Sequence, residues 1–222
     1  MDKREPRQPD ACCEEPDLSA LEGVVAPEQR NDPRALCALL THASPRVRIA
    51  AAIGLGTLGD RRYANDIAEL LHDRCDRVIK EAERALACLW LRCAGCPAAR
   101  SLLEGVGRAQ RGDLDGALDA IDAAIEIRPD YAEAHNQRGI VLSLMDDPRR
   151  ALEAYAGAIE IEPQHFWALA GAGNCHAALG DADAAIAMHR RALTVHPRFE
   201  LSLEAMRQLL SAGLAEISEA HR

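Results

Sequence analysis

The chain has 222 residues, of which 48% are hydrophobic but only 3% aromatic, and a formal net charge of −9. That balance argues against nucleic acid as the main partner, because phosphates must be met by Lys and Arg. With so few aromatics, Ala and Leu must supply the apolar surface, a composition suited to closely packed helices.

No run of about 18 apolar residues is present to form a membrane span. The polar start MDKREPRQPDACCEEPD lacks the apolar core of a secretory signal. The expectation is a cytoplasmic protein with no membrane partner, whose eight cysteines stay reduced. Cys37, Cys75, Cys88 and Cys175 fall inside helical patterns and read as small buried hydrophobes.

Residues 1–31 carry Pro6, Pro9, Pro16 and Pro27 with scattered charge and little periodicity. They read as a disordered or loosely docked arm. Leu18-Ser19-Ala20-Leu21 can form a short helix turn against the first repeat. Asp32-Pro33 then looks like an N-cap with proline at the first helical position. Leu36, Leu39 and Leu40 give an apolar stripe at helical spacing. Ser44-Pro45 repeats the cap-and-proline start, and a helix is predicted to about Leu58, broken by Gly59-Asp60. The pattern returns at a shift of 31: Leu39 and Leu40 map to Leu70 and Leu71, Val47 to Val78, Ala51 to Ala82, and Leu55 to Leu86. Residues 32–96 therefore hold two helical repeats, the second from about Arg62 to Cys93.

The stretch Pro45-Arg46-Val47-Arg48-Ile49-Ala50-Ala51-Ala52-Ile53-Gly54-Leu55-Gly56 resembles the second helix of HEAT repeats, in particular the phycobilisome-lyase-like kind. The second copy departs from it, with Ile79 where the first has Arg48. Two units are few for a stable solenoid, so the second is expected to dock directly on the helices after it.

Gly95 and Pro97 mark the expected seam. Beyond it a fixed period governs the chain. Pro129, Pro163 and Pro197 stand 34 residues apart. Ahead of them the same offsets hold Gly105, Gly139 and Gly173; Ala117, Ala151 and Ala185; and Ala124, Ala158 and Ala192. Small residues recurring on this period allow two helices to approach closely, and the prolines end each second helix. Asp113, Asp147 and Asp181 read as N-caps after tight turns. In these columns residues 98–131, 132–165 and 166–199 resemble three tetratricopeptide repeats. In the aromatic columns the likeness is looser, with Ile121, Tyr155 and His189 where the family often has Phe or Tyr. Residues 200–222 carry Leu201, Leu203, Met206, Leu209 and Leu210, predicted as a capping helix to about Ala212 and a frayed tail. The expected fold is an all-α solenoid of antiparallel helix pairs, HEAT-like and then tetratricopeptide-like, closed by that helix.

The tetratricopeptide resemblance implies a concave face lined by the first helix of each unit. Its inward positions fall on Leu102, Leu103 and Val106; on Glu133, Asn136, Gln137 and Ile140; and on Trp167, Ala170, Gly171 and Asn174. An amide side chain can bond both the N–H and C=O of an extended peptide, which selects Asn136 and Asn174 for backbone recognition. Val106, Ile140 and Trp167 would supply apolar contact. Some members of the family clamp a C-terminal carboxylate with Lys and Arg. Those places here hold Leu102, Trp167 and Gly171, which disfavours such a clamp.

These residues imply a non-enzymatic adaptor that takes a peptide or helix of a partner protein, with no resident cofactor and no metal. Two alternatives stand beside it. The lyase-like HEAT resemblance would imply an accessory protein handling a bilin or related cofactor, and tetratricopeptide arrays can also assemble into homo-oligomers. Cys93-Ala94-Gly95-Cys96, with Cys88 five residues earlier, has zinc- or iron–sulfur-like spacing but no second pair. Cys88 is expected to face the helix packing. The eight histidines, His72 and His189 among them, read as solvated polar residues. No nucleophile–base order or phosphate-binding glycine loop stands out.

Overall fold

The computed structural model describes residues 18–92 and 96–220, with side chains to Ser211. The arm before Leu18, with Cys12 and Cys13, and Cys93 of the Cys-x-x-Cys lie outside these residues. Among the described residues every regular element is helical, and the fold is an all-α solenoid of successive helix pairs. The chain divides into two compact units at the Leu89–Trp90 bond.

In the first unit two 3-10 turns, Leu18–Leu21 and Pro27–Asn31, precede α1 (Pro33–Ala38) and α2 (Pro45–Leu58). The part of the expected arm from Leu18 onward is thus folded. Its anchor is Leu21, fully buried, in a turn packed on α2. Asp32 caps α1 by accepting the Arg34 N–H at 3.0 Å. Ser44 does not cap α2 with its side chain; its N–H donates to His42 Nδ1 at 3.1 Å instead.

The second copy comprises α3 (Ala64–Ala68), a 3-10 turn (Glu69–His72) and α4 (Asp76–Leu91). The residues matched at a shift of 31, Leu71, Val78, Ala82 and Leu86, are fully buried, as are Ala51 and Leu55 of the first copy. Arg48 ties the two copies together. Its guanidinium donates to both oxygens of Asp73 at 2.7 and 2.9 Å and to the His42 and Ala43 carbonyls at 2.7 and 3.0 Å. One planar fork therefore fixes the turn before α2 and the turn before α4. Gly56 lets α2 approach α4: a Cβ there would stand 2.9 Å from the Ala85 Cα.

In the second unit the pairs are α5 (Pro97–Gln110) with α6 (Leu114–Ile127), α7 (Ala132–Leu144) with α8 (Pro148–Ile161), and α9 (Phe166–Ala178) with α10 (Ala182–Val195). The long terminal helix α11 (Glu200–Ala220) continues past Ala212. The starts of α6, α8 and α10 fall on the same 34-residue period as the prolines. Each pair is joined by a turn whose central residue has a left-handed backbone: Gly112 at φ +83°, Asp146 at +60° and Gly180 at +81°. The next residue caps the second helix. Asp113 accepts from the Gly116 N–H, Asp147 from Arg150 and Asp181 from Ala184, at 3.1, 3.2 and 3.0 Å.

The repeating glycines are contact points. Added Cβ atoms would stand 2.6 Å from Ile121 at Gly105, 2.7 Å from the Tyr155 ring at Gly139, and 2.7 Å from His189 Nε2 at Gly173. Each glycine is the seat for the residue sixteen places later, on the partner helix. Around these seats Ala117, Ala151, Ala124 and Ala158 are fully buried in one continuous core.

Cysteines follow the packing unevenly. Cys175 is buried, Cys37 and Cys75 are half-buried, and Cys88 is exposed, contrary to its expected place in the helix packing. The outer side of α4 carries it, while Leu89 and Trp90 turn inward.

Two alanine substitutions separate seat from spacer. Gly139→Ala should lower the unfolding free energy by about 1–3 kcal/mol, because the Tyr155 ring has nowhere to move. Gly107→Ala, whose Cβ would meet only Arg111 Nη1 at 3.5 Å, should raise it by roughly 0.5–1 kcal/mol through helix propensity. Urea unfolding monitored by circular dichroism measures both.

Candidate functional site

The first helices of the three pairs, α5, α7 and α9, pack against one another in order, and their outward places form one face. The structure sorts the eight sequence-selected residues by position within the unit. The fifth place is buried in all three copies: Leu102 and Ala170 fully, and Asn136 to 2% exposure. Leu102 belongs to the core cluster and is removed from the surface set. Asn136, selected for peptide recognition, is also inside. Its Nδ2 lies 3.4 and 3.5 Å from the Glu133 oxygens, and its Oδ1 has no protein partner.

Places two, six and nine make the face. Leu103 is 61% exposed. Val106 and Ile140 are half-buried, with their inner sides on the core. Gln137 and Trp167 are half-buried, and Asn174 is exposed. Gly171 lies over the Tyr155 ring, which also fills the Gly139 seat, so one tyrosine of α8 supports both α7 and α9 from beneath.

Glu133 is the exception at place two, only 6% exposed. Its carboxylate collects three donors: Gln137 Nε2 at 2.7 Å, His165 Nε2 at 3.0 Å, and the longer Asn136 contact. A buried carboxylate requires such partners. The arrangement has a consequence for the surface. Gln137, one turn further along the same helix, commits the NH2 end of its amide to that carboxylate, which leaves the amide oxygen as the end able to accept from a ligand.

His165 was missed as a site residue because single histidines read as solvated. It is fully buried. Its Nδ1 accepts the Ala168 N–H at 3.3 Å, capping α9, so the ring carries its proton on Nε2 and donates to Glu133. The Trp90 ring stacks on it at 4.2 Å and 15°. Trp167 meets Trp90 edge-on at 5.5 Å and Phe166 at 4.5 Å. The end of α4 thus packs within the second unit: the Leu91 carbonyl accepts the Tyr131 hydroxyl at 2.6 Å. This explains why the unit begins at Trp90, ahead of the expected Gly95–Pro97 seam. A sequence signal existed, since Tyr131, His165 and Phe199 form a ring-bearing column on the 34-residue period.

Under the face, Tyr155 Oη and Cys175 Sγ lie 3.5 and 3.7 Å from Ser143 Oγ. Burial pushes the Tyr155 phenol up to about 12 and raises the Cys175 thiol. Both stay protonated near neutrality, as packing groups rather than nucleophiles.

The first unit has a cavity of about 440 Å³ lined by Cys37, Arg48, Asp66, Glu69, His72 and Asp73 among others. Arg48 and Asp73 are committed to each other. Burial, and then the neighbouring Asp66 carboxylate, push the Cys37 thiol up, so it too remains a neutral thiol. Among the described residues no group of three or more His, Cys, Asp or Glu side chains is placed to hold a metal. Among them, too, no helix is long and apolar enough to cross a membrane.

Residues 25–111 match HEAT repeats. Residues 108–146 match the TPR repeat, and residues 142–211 match the tetratricopeptide repeat. The first 34-residue unit is thus shared between the HEAT and TPR matches. No curated protein matches the chain. Among solved structures, the first TPR domain of human RPAP3 is similar at a TM-score of 0.52 and 16% identity, over 55% of this chain and 95% of that one. The first TPR of Spaghetti (RPAP3), bound to the HSP90 peptide SRMEEVD, is similar at 0.51 and 19% identity, over 53% and 93%. At these identities the likeness is one of fold.

Removing the Glu133 carboxylate would strand its donors. Glu133→Ala should lower the unfolding free energy by about 1–3 kcal/mol, and His165→Ala should cost less in that background than in the wild type. Urea unfolding of the four proteins of the cycle gives the coupling.

Proposed function

Because the chain is a HEAT-then-tetratricopeptide repeat protein, we propose that it is a non-enzymatic scaffold that binds an extended segment of a partner protein on the α5/α7/α9 face. The observation that carries this reading is the Gln137 amide, whose NH2 end donates to Glu133 at 2.7 Å, among half-buried Val106, Ile140 and Trp167. A fixed acceptor among apolar side chains suits a peptide N–H with apolar side chains on either side. Asn174, exposed one unit further on, offers a second amide for the partner's backbone.

Charge narrows the partner's chemistry. Places two, six and nine of the three units contain no Lys or Arg, and Glu133 lies beneath them. An acidic tail such as SRMEEVD, the peptide of the Spaghetti (RPAP3) structure, would meet no cation here. The partner segment is therefore apolar and neutral or basic. The cofactor-handling and self-assembling alternatives rest on the repeat resemblances alone.

The test is direct. Peptides selected from a random display library against the whole protein should be apolar and poor in Asp and Glu. Gln137→Ala with Asn174→Ala should weaken their binding by about 5- to 100-fold, as two lost hydrogen bonds would, with the fold retained and Tm lowered only by the lost Gln137 donor to buried Glu133. Equal affinity for the double variant would contradict the assignment of this face.

A further inference from the structure

His189 of α10 occupies the place that Ile121 fills in α6 and Tyr155 in α8. The imidazole is fully buried. One side lies on the Gly173 seat of α9, where a Cβ would stand 2.7 Å from Nε2. On another side, Nδ1 is 3.2 Å from Ser202 Oγ, itself fully buried on α11. Three helices thus meet at one ring, and the third, α11, packs on both helices of the last pair. Nε2 has no hydrogen-bond partner.

An isoleucine or a tyrosine in this slot stays neutral near pH 7, whereas an imidazole can take up a proton. With its proton on Nδ1 the neutral ring donates to the Ser202 hydroxyl and leaves only the uncharged Nε2 lone pair without a partner. The protonated ring would carry a second N–H, facing Gly173 with no acceptor, and a full charge inside the packing. No counter-charge waits there. On α9 the titratable groups are Cys175, a buried thiol, and His176, 3.8 Å from Asp181. On α10, Asp183, Arg190 and Arg191 are exposed, and the capping His196 packs on Phe166 and Phe199. On α11, to Ser211, Glu200 and Glu204 both pair with Arg207 on the exposed side.

We propose that His189 is a pH-sensitive latch for α11: neutral, it holds that helix on the last repeat through Ser202; protonated, it releases the helix and uncovers the last repeat.

Burial alone places the pKa of docked His189 below its ordinary value of 6.5. The undocked ring, with its ordinary value, binds protons first as pH falls. Docking is therefore undiminished above about pH 6.5 and weakens below it, until the docked ring itself protonates. In hydrogen exchange corrected for intrinsic rates, amides of residues 200–211 should lose protection by up to about tenfold per pH unit below pH 6.5. His189→Phe keeps a ring on Gly173 but cannot titrate, and should lose that pH dependence. Protection that is flat with pH in the wild type, or equally pH-dependent in His189→Phe, would overturn the latch. Should His189→Phe fail to fold, nitrogen-detected NMR of the wild-type imidazole decides. Uptake of a proton by His189 with α11 amides still protected overturns the proposal; uptake and loss of protection at one pH supports it.

Discussion

The second half of this protein depends on one steric arrangement repeated three times: a glycine on the first helix and a larger side chain sixteen residues later seated upon it. Ile121 sits on Gly105, Tyr155 on Gly139 and His189 on Gly173. The seat sets how closely the two helices of a pair approach, and buried alanines on the second helix accept the same spacing. Large residues at these glycine positions would force the helices apart, because a packed interior gives little to added volume. The seated residue is freer in kind, and its chemistry gives each unit its own character. Ile121 is only packing. Tyr155 reaches on to Gly171 and supports two first helices at once. His189 is polar, and it touches the terminal helix.

The candidate site is a consequence of that packing. With place five of each unit taken into the core, only places two, six and nine of the first helices remain to face a partner. The polar group at the middle of this face is supported in layers. Trp90 stacks on His165, His165 donates to Glu133, and Glu133 holds Gln137. An amide fixed from beneath loses less rotamer entropy on binding than a free one.

The fold was largely legible in the sequence because its determinants repeat. A 34-residue column of Gly, Ala, Asp and Pro is visible without any knowledge of neighbours, and the helix starts, the caps at Asp113, Asp147 and Asp181, and the left-handed turns keep to it. The 31-residue shift likewise placed Leu71, Val78, Ala82 and Leu86 in the core. The site was less legible. The family pattern puts place five in the groove, whereas Leu102 and Asn136 are buried, because the angle between neighbouring pairs decides which side of a first helix is covered. His165 and His189 looked like surface residues because their burial comes from the glycine seat and from ring stacking with Trp90, which no local pattern encodes. Arg48 similarly hid its role, since Asp73 lies 25 residues away.

If the α5/α7/α9 face, rather than the outer helices or the first unit, receives the partner segment, NMR shift mapping of the whole protein on titration with a display-selected peptide tests it most directly. The Gln137 and Asn174 side-chain amides, the Trp167 indole N–H and the methyl groups of Val106 and Ile140 should move together and saturate at one affinity. Shifts confined to α6, α8 and α10, or to residues 18–89, would contradict the claim.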